Sequence, residues 1–336
     1  MIECIFTVDY EIYGNGEGSL KELVYEPAEK LKAVFRKWNA RCVVFVEAAE
    51  LEIIGSERTD TFIHLVERQI REFHRDRFEI GLHLHPQWYN ARYEDGQWQL
   101  DYGEYNLCRL SPDRIDQIID RSILYLRKAL CEPNYKPLSF RAGNWLLQPS
   151  SAVAKSLSKH YISVDSSVFK GGVQHKHKLD YRMSLKNGYF WAFSENVNIP
   201  DPRGILLEIP TYSKMVPIWK MLTPKRIALH QKGSSKFQHR QNLLMRLADF
   251  LRIRHPMKLD FSRLDAEEMI LILDQEMKKD QKNPTLYRPI VAIGHTKDLA
   301  DLSTVESFLS YLQNNGISVS TFRDVHDKII KLKEQS

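Results

Sequence analysis

The sequence has few cysteines and no long apolar stretch. Its four cysteines are scattered with no CxxC spacing, which indicates the reduced thiols of a cytosolic protein rather than a disulfide framework. No run approaches the roughly 18 apolar residues that a membrane-spanning helix needs. The first predicted strand begins at Ile2, which leaves no room for the basic and apolar regions of a signal peptide. We therefore expect a cytoplasmic protein that neither crosses a membrane nor is secreted.

The chain is long and apolar enough to bury a large core. It has 336 residues, of which 43% are hydrophobic and 11% aromatic, and α/β barrels of this length fold as one domain. Its charge is unevenly distributed. The segment 214–258 contains eleven Lys or Arg residues and one acid, Asp249, so its net charge is +10, while the whole chain carries only +5. The remainder is therefore about −5, and 214–258 stands out as a basic segment.

Short β-branched and aromatic runs alternate with longer segments of helical periodicity, which predicts βα units around a parallel sheet. We expect strands near residues 2–9, 42–47, 79–85, 138–143, 161–166, 205–210, 290–295 and 317–322. We expect helices near residues 27–38, 60–75, 111–130, 149–159, 238–253, 264–279 and 303–315. The sequence thus predicts an α/β protein, a distorted (β/α) barrel with about seven parallel strands. It is one domain over 1–336, with insertions at about 168–204 and 211–262, the second of them basic and helical.

Ionisable residues stand at the ends of six predicted strands. In a parallel α/β barrel the loops that follow the strands meet over one face, so side chains there collect in one place. Because ionisable groups are rarely placed beside a core without partners, six such strand ends predict a shared site. The residues, in chain order, are Asp9 and Glu11, His83 and His85, Arg141, Asp165, Glu208 and His295.

The stretch EIGLHLHPQW, residues 79–88, contains the histidine pair. His83 and His85 are two residues apart, which is the side-chain period of a strand, so both point to one face. Such a pair suits a divalent metal, although core and surface histidines are far commoner. His175 and His177 have the same spacing in QHKHK, a polar segment that predicts a solvated loop. Spacing alone therefore does not decide between a metal site and ordinary histidines.

Taken in order, these residues resemble the polysaccharide deacetylases of the NodB-homology type, carbohydrate esterase family 4, in a divergent branch. TVDYE, residues 7–11, is similar to the TFDDG motif of that family, and the histidine stretch is similar to its H(S/T)xxH motif. Arg141, Gly143 and Trp145 match its RxGxW motif, and Gly294–His295 is similar to its late Leu-His motif. No single motif is decisive, but their order is specific and spans most of the chain.

Two positions depart from the family pattern. Tyr10 stands where the second aspartate of the family's adjacent pair is a metal ligand, and Glu11 offers an oxygen ligand one residue later. Gln87 stands four residues after His83, where the family has its second histidine, so His85 serves instead.

The resemblance implies a metal-dependent hydrolase that removes N-acetyl groups from sugars of a polysaccharide or glycan precursor. Glu11, His83 and His85 would hold a divalent metal, zinc first, with Fe, Co, Ni or Mn also accepted by such ligands. Asp9 would be the general base, oriented by Arg141. His295 would be the acid for the leaving amine, and Asp165 would keep it charged. The expected substrate contacts are Trp88, Trp145 and Glu208.

Two other functions stay open at this point. A glycosidase would use a carboxylate pair such as Asp9 and Glu208 and would not need the histidines. A non-catalytic glycan-binding relative would keep the fold and lose the base or the metal, whereas Asp9 and His295 are both present here.

The basic segment 214–258 has two interpretations as well. It is either an inserted lid whose basic side is solvated, or a surface for a lipid-linked, anionic glycan precursor or an anionic membrane. The apolar side of its predicted helix consists of Leu243, Leu244, Leu247, Leu251 and Ile253. No groove-reading motif accompanies the charge, so nucleic acid is not an expected partner.

Overall fold

A computed structural model of the chain describes residues 1–221 and 254–334. Within them the strands are β1 Ile2–Tyr10, β2 Val43–Glu47, β3 Glu79–Leu84, β4 Arg92–Glu94, β5 Gln97–Gln99, β6 Ser139–Ala142, β7 Val164–Asp165, β8 Val173–Gln174, β9 Leu179–Asp180, β10 Trp191–Phe193, β11 Leu206–Glu208, β12 Ser213–Pro217, β13 Arg254–Lys258, β14 Arg288–His295 and β15 Ser318–Ser320. The α-helices are α1 Glu26–Lys37, α2 Ala48–Glu57, α3 Ile63–Arg75, α4 Pro112–Leu130, α5 Ser151–Lys159, α6 Ala266–Lys282, α7 Ser303–Asn314 and α8 Phe322–Glu334. None of these helices has the length and apolar character needed to cross a membrane.

The main sheet has nine strands in the order β10-β11-β7-β6-β3-β2-β1-β14, with β15 also paired to β1. Seven neighbours in this path, from β11 to β14, run parallel, and β10 is antiparallel to β11. The predicted fold class, a distorted (β/α) barrel with about seven parallel strands, is therefore confirmed.

The two edges of the curved sheet are joined by chain segments that are not regular strands. Thr211, just after β11, pairs with Val291 of β14, and the amide of Tyr212 donates to the carbonyl of Val291 at 2.9 Å. Asp260 pairs with Ile293 in the same way. These contacts close the barrel beside β14.

Alternation along the strands divides the apolar side chains between two layers. The barrel interior holds Ile5, Val43, Phe45 and Val291, and α8 covers one end of it with Phe322, Val325 and Ile329. The larger layer lies between the sheet and the surrounding helices, where Phe6 of β1 meets Phe35 of α1 edge-on at 5.2 Å.

Several predicted elements have the expected positions, and others were missed. Helix α4 begins after Ser111, whose Oγ accepts from the amide of Arg114 at 3.3 Å. Helices α2 and α8 and the β4–β5 hairpin were not predicted. Helix α2 follows β2 with no loop and is buried along most of its length, so it shows little amphipathic pattern. The predicted helix at 238–253 lies outside the described residues.

The two predicted insertions interrupt the barrel in different ways. Between β7 and β11, residues 168–204 form the β8–β9 hairpin and the edge strand β10. Between β11 and β14, strands β12 and β13 form an antiparallel ribbon that leads to and from residues 222–253.

Candidate active site

Polar side chains from neighbouring strands lie in one layer at the carboxyl ends of the barrel strands. Asp9 is in register with His295 on one side and with Phe45 on the other, and His83 is in register with Arg141. Residues in register on neighbouring parallel strands point to the same side of the sheet. Here that side is the barrel interior, because Phe45 belongs to the interior cluster.

Glu11, His83 and His85 form a candidate metal-binding group. Their donor atoms lie within 4.8 Å of one another, and Oε2 of Glu11 is 3.3 Å from Nε2 of His83 and 3.1 Å from Nε2 of His85. Ligands at about 2.0–2.1 Å from a tetrahedral zinc lie roughly 3.3 Å from each other. Among the described residues, neither Oε2 of Glu11 nor Nε2 of His83 has a hydrogen bond of acceptable geometry, although both are buried. The donor set and its spacing therefore fit a divalent metal.

The other ring nitrogen of each histidine is held by the protein. Nδ1 of His83 lies 2.9 Å from the carbonyl oxygen of Arg141, to which its proton donates, and this leaves Nε2 free to coordinate. Nδ1 of His85 contacts the side-chain amides of Asn144 at 3.1 Å and Gln87 at 3.3 Å. In both contacts it is the amide nitrogen that faces the ring, so these side chains donate to Nδ1 of His85.

The turn after β6 is shaped by its contact with His85. A Cβ on Gly143 would lie 2.8 Å from Cγ of His85 and 2.5 Å from the carbonyl oxygen of Leu84, so only glycine fits. Asn144 and Trp145 follow with φ of 55° and 66°, in the left-handed region. Two non-glycine residues in this region cost free energy, which is consistent with a turn constrained by its site.

Arg141 fixes the position of Asp9. Its Nη1 donates to Oδ1 of Asp9 at 2.6 Å, its Nη2 donates to Oγ1 of Thr7 at 2.9 Å, and its Nε donates to the carbonyl of Ser166 at 3.0 Å. The guanidinium also lies 4.2 Å from the ring of Phe45. Arg141 is completely buried, so the guanidinium has a single arrangement and orients the carboxylate.

The electrostatic surroundings keep the carboxylates of Asp9 and Glu11 ionised. Burial opposes ionisation, but Arg141, with smaller effects from His83 and His295, lowers the pKa of Asp9 overall. In the same way Lys297 and His85 outweigh burial and hold the pKa of Glu11 well below its usual range.

The expected pairing of His295 with Asp165 is wrong. Nε2 of His295 lies 3.4 Å from Oδ2 of Asp9, and the other acids that act on it are Asp260 and Asp298. Burial outweighs these acids and lowers the pKa of His295. The imidazole is therefore biased toward its neutral form rather than held charged.

Asp165 and Glu208 lie on the opposite face of the sheet from Asp9. They are in register with each other and with Phe140, which packs in the outer layer. Asp165 accepts from the amide and hydroxyl of Ser167, and burial raises the pKa of both carboxyls, which lie close enough to affect each other's pKa. The assignment of Glu208 as a substrate contact, and of both residues to the shared site, is corrected accordingly.

The two predicted tryptophans differ in accessibility. Trp88 is completely buried and packs edge-on against Trp98 at 5.1 Å, so it supports a groove wall and does not touch a ligand. Trp145 lines the groove, and Nζ of Lys258 lies 4.1 Å from its ring.

Four polar residues near the site escaped the sequence analysis. Nζ of Lys297 lies 2.7 Å from Oε1 of Glu11. Oε2 of Glu47 accepts from the amide of His85 at 2.9 Å, and burial raises the pKa of Glu47 to about 8. The third of these residues is Lys258, whose pKa burial lowers to about 8. The fourth is Asp260. Two of them could have been found from the sequence. Lys297 is two residues after His295, so strand alternation places it on the same face, and Glu47 is an ionisable residue at the end of β2.

A groove of about 1670 Å³ adjoins this layer. It is lined by Trp145, by Lys297, which pairs with Glu11, and by Asn144, which contacts His85. Its walls carry aromatic side chains, namely Tyr13, Tyr93, Trp98, Tyr102 and Tyr105. A concave surface lined by aromatic and polar side chains is typical of a ligand-binding site.

The barrel thus has seven parallel strands, with polar side chains gathered at their carboxyl ends. No family model matches the sequence, and no curated protein does.

Solved structures do match. A protein from Mycobacterium smegmatis assigned as a polysaccharide deacetylase has a TM-score of 0.55 at 13% identity, covering 99% of this chain and 91% of that one. One from Pseudomonas aeruginosa PAO1 with the same assignment has a TM-score of 0.52 at 12% identity, covering 96% and 89%. The allantoinase PuuE has a TM-score of 0.52 at 10% identity, covering 96% and 88%. The resemblance seen in the sequence is confirmed for the fold.

Proposed function

We propose that the protein is a metal-dependent deacetylase that hydrolyses the N-acetyl amide of a sugar in a glycan or glycan precursor. The observation that carries the proposal is the layer in which an ionised Asp9, held by Arg141, stands beside the group Glu11, His83 and His85. This layer provides a base, a set of metal ligands and a second titratable group, His295, at one end of the barrel. Fold alone does not supply this argument, because one structure with the same fold is an allantoinase.

Glu11, His83 and His85 would hold the metal, with zinc as the first expectation and Fe, Co, Ni or Mn as alternatives. When bound, a divalent metal supplies Lewis acidity, which makes water more acidic and polarises the acetamide carbonyl.

The protein's own residues then transfer the proton from the attacking water to the leaving nitrogen. Oδ1 of Asp9 is occupied by Arg141 at 2.6 Å, so Oδ2 is the oxygen that accepts a proton from the attacking water. Nε2 of His295 is 3.4 Å from that oxygen. A neutral His295 can take up this proton and deliver it to the leaving nitrogen, so that the amine departs uncharged and acetate is the second product.

The groove gives the substrate its place. Trp145 lines the groove next to Asn144, and the tyrosines and Trp98 of its lining offer flat surfaces for sugar rings. Trp145 has its ring fixed edge-on against Phe169 at 5.6 Å, so it presents a rigid wall.

The basic segment 214–258 leaves the barrel next to the groove. Its last residue, Lys258, lies over Trp145, and its first strand pairs with its last. We propose that this segment holds an anionic glycan carrier or membrane surface near the site. All four cysteines are free thiols, which supports a reducing compartment, the cytoplasm, as the place of action.

The glycosidase alternative has no geometric support. Its carboxylate pair, Asp9 and Glu208, is divided between the two faces of the sheet. The non-catalytic relative remains the alternative that an activity assay separates from the proposal.

The direct test is acetate release by the purified protein from a panel of N-acetylated glycans, lipid-linked intermediates and nucleotide sugars. Chelator treatment should abolish release, and zinc, cobalt or manganese should restore it. Metal binding without release from any substrate would instead identify a glycan-binding relative.

A further inference from the structure

The β8–β9 hairpin forms one wall of the groove and is attached to the candidate metal ligands. Nε2 of Gln174 donates to the carbonyl of Asn144 at 2.9 Å, and the Asn144 amide contacts Nδ1 of His85 at 3.1 Å. The hairpin turn, residues 175–178, therefore begins directly after Gln174, and Gln174 is bonded to the Asn144 turn that contacts His85. Its position relative to the site is fixed by these contacts.

An aromatic contact holds the turn against the neighbouring wall. The rings of His177 and Tyr105 stack with centroids 4.8 Å apart and an interplanar angle of 29°. Tyr105 also lies close enough to Asn144 for that side chain to affect its pKa. His177, expected to be a solvated loop residue, is thus a half-buried part of the groove wall.

Three cations surround this stack. Arg109, Lys176 and Lys178 line the groove and are exposed. Arg109 and Lys176 are close enough to His177 to lower its pKa, in addition to the effect of burial. In the described part of the chain, the side chains of these three residues make no ion pair or hydrogen bond.

Acidic residues of the groove do not compensate these charges. Asp60 accepts from the amides of Leu20 and Phe62 at 2.8 Å each, and Asp298 is paired with Arg263 at 3.0 Å. Glu17 belongs to the Gly14–Gly18 loop after β1. One wall of the groove therefore has three positive charges with open hydrogen-bonding capacity.

We infer that the substrate is an acidic glycan, in which a carboxylate or phosphate group close to the N-acetylated sugar is bound by Arg109, Lys176 and Lys178. The planar guanidinium binds either anion through paired hydrogen bonds, and the two ammonium groups add point charges. This inference rests on the proposed deacetylase function and specifies its substrate class. It places a determinant of specificity in the hairpin and in the neighbouring Arg109, and it leaves the hydrolysis to the polar layer around Asp9.

The test compares three N-acetylated oligosaccharides of matched length, one neutral, one with a uronate neighbour and one with a phosphate neighbour. Their affinities are measured by calorimetry with the metal-loaded Asp9→Asn variant, so that binding is observed without turnover, and kcat/KM is measured with the parent. We expect at least one acidic oligosaccharide to bind about tenfold or more tightly than the neutral one. That preference should decline with added salt. Whichever of the uronate and phosphate oligosaccharides binds more tightly identifies the anion.

The triple variant Arg109→Gln, Lys176→Gln and Lys178→Gln should bring the acidic-to-neutral affinity ratio close to one. A matched control removes three exposed cations outside the groove, Lys128→Gln, Lys186→Gln and Arg203→Gln, and should keep the ratio. Equal binding of neutral and acidic oligosaccharides, or a triple variant that keeps the preference, would overturn the inference. If an acidic oligosaccharide binds preferentially but the parent releases no acetate, the deacetylase function fails and the acidic-ligand site stands.

Discussion

Arg141 and Asp9 form a completely enclosed ion pair that joins two strands of the barrel. Nη1 of Arg141 lies 2.6 Å from Oδ1 of Asp9, with the side chains 0% and 4% exposed. Without the arginine, burial would favour the protonated carboxyl, which is useless as a base. The pair therefore makes Asp9 an ionised carboxylate with one oxygen engaged and the other directed toward His295.

Replacing this carboxylate should remove catalysis and leave the fold. Asp9→Asn retains an oxygen that can accept from Arg141 but has no basic site, so acetate release should fall by a factor on the order of 100 or more. Metal content and the melting temperature should change little. The same loss is expected for His295→Ala. Activity within a few-fold of the parent in either variant would remove that residue from the mechanism.

Metal content should depend on His83. His83→Ala deletes a ligand whose Nε2 lies 3.3 Å from Glu11, so elemental analysis of the folded variant should show a loss of the roughly one equivalent expected in the parent. His175→Ala is the control, since its histidine has the same spacing to a neighbour but lies in the hairpin turn. Full metal content in a folded His83→Ala protein would disprove the ligand assignment.

Gly143 should affect metal affinity although it binds nothing. In Gly143→Ala the new methyl group would overlap the ring of His85, and misorienting a ligand typically lowers metal affinity by about 10–100-fold. Competition with a chromophoric chelator measures this change. Gly188→Ala is the control, because the nearest atom to a Cβ added at Gly188 is 3.6 Å away, and its metal affinity should equal that of the parent. If Gly143→Ala also kept the metal affinity of the parent, the ring of His85 would not be fixed by this contact.

Binding to membranes tests the basic segment. If 214–258 holds an anionic surface, the protein should sediment with liposomes that contain anionic lipid, and salt should weaken this binding because charge attraction is screened over about 8–10 Å at physiological ionic strength. Equal partitioning onto neutral and anionic liposomes, or no binding at low salt, would leave the segment as an inserted lid.

The inward-facing residues of long strands could be predicted from the sequence, whereas those of short strands could not. Strand β1 has nine residues and β14 has eight, so the period of two fixes which side chains share a face. Strands β7 and β11 have two and three residues, and a slip of one residue reverses the face. Ser166, the residue after Asp165, is the one that reaches Arg141.

The contributions of irregular segments were also beyond sequence patterns. Asp260 reaches the barrel through a single bridge to Ile293, and a lone bridge has no periodicity. Trp88 follows a proline in a short 3₁₀ turn, where the alternation of β3 no longer applies. The fold class was predictable because it depends on repeated patterns over many elements.

The buried pair of Asp165 and Glu208 should lower stability as pH rises and should have no part in catalysis. The pKa of Glu208 is raised well above its usual range by burial and then by Asp165, so the folded state binds a proton that the unfolded state releases above about pH 4–5. The stability due to this proton is complete below the unfolded pKa and is lost as pH increases through the folded one.

In Glu208→Gln the side chain keeps an oxygen that can accept from the amide of Val168, as Glu208 does at 3.1 Å, and gains an amide donor for Asp165. Thermal unfolding should therefore give similar melting temperatures for variant and parent near pH 4.5, and a melting temperature a few degrees higher for the variant near pH 8. Acetate release should stay within about threefold of the parent, because the residue lies on the outer face. A variant that loses activity a hundredfold while remaining folded would return Glu208 to the active site and revive the glycosidase interpretation.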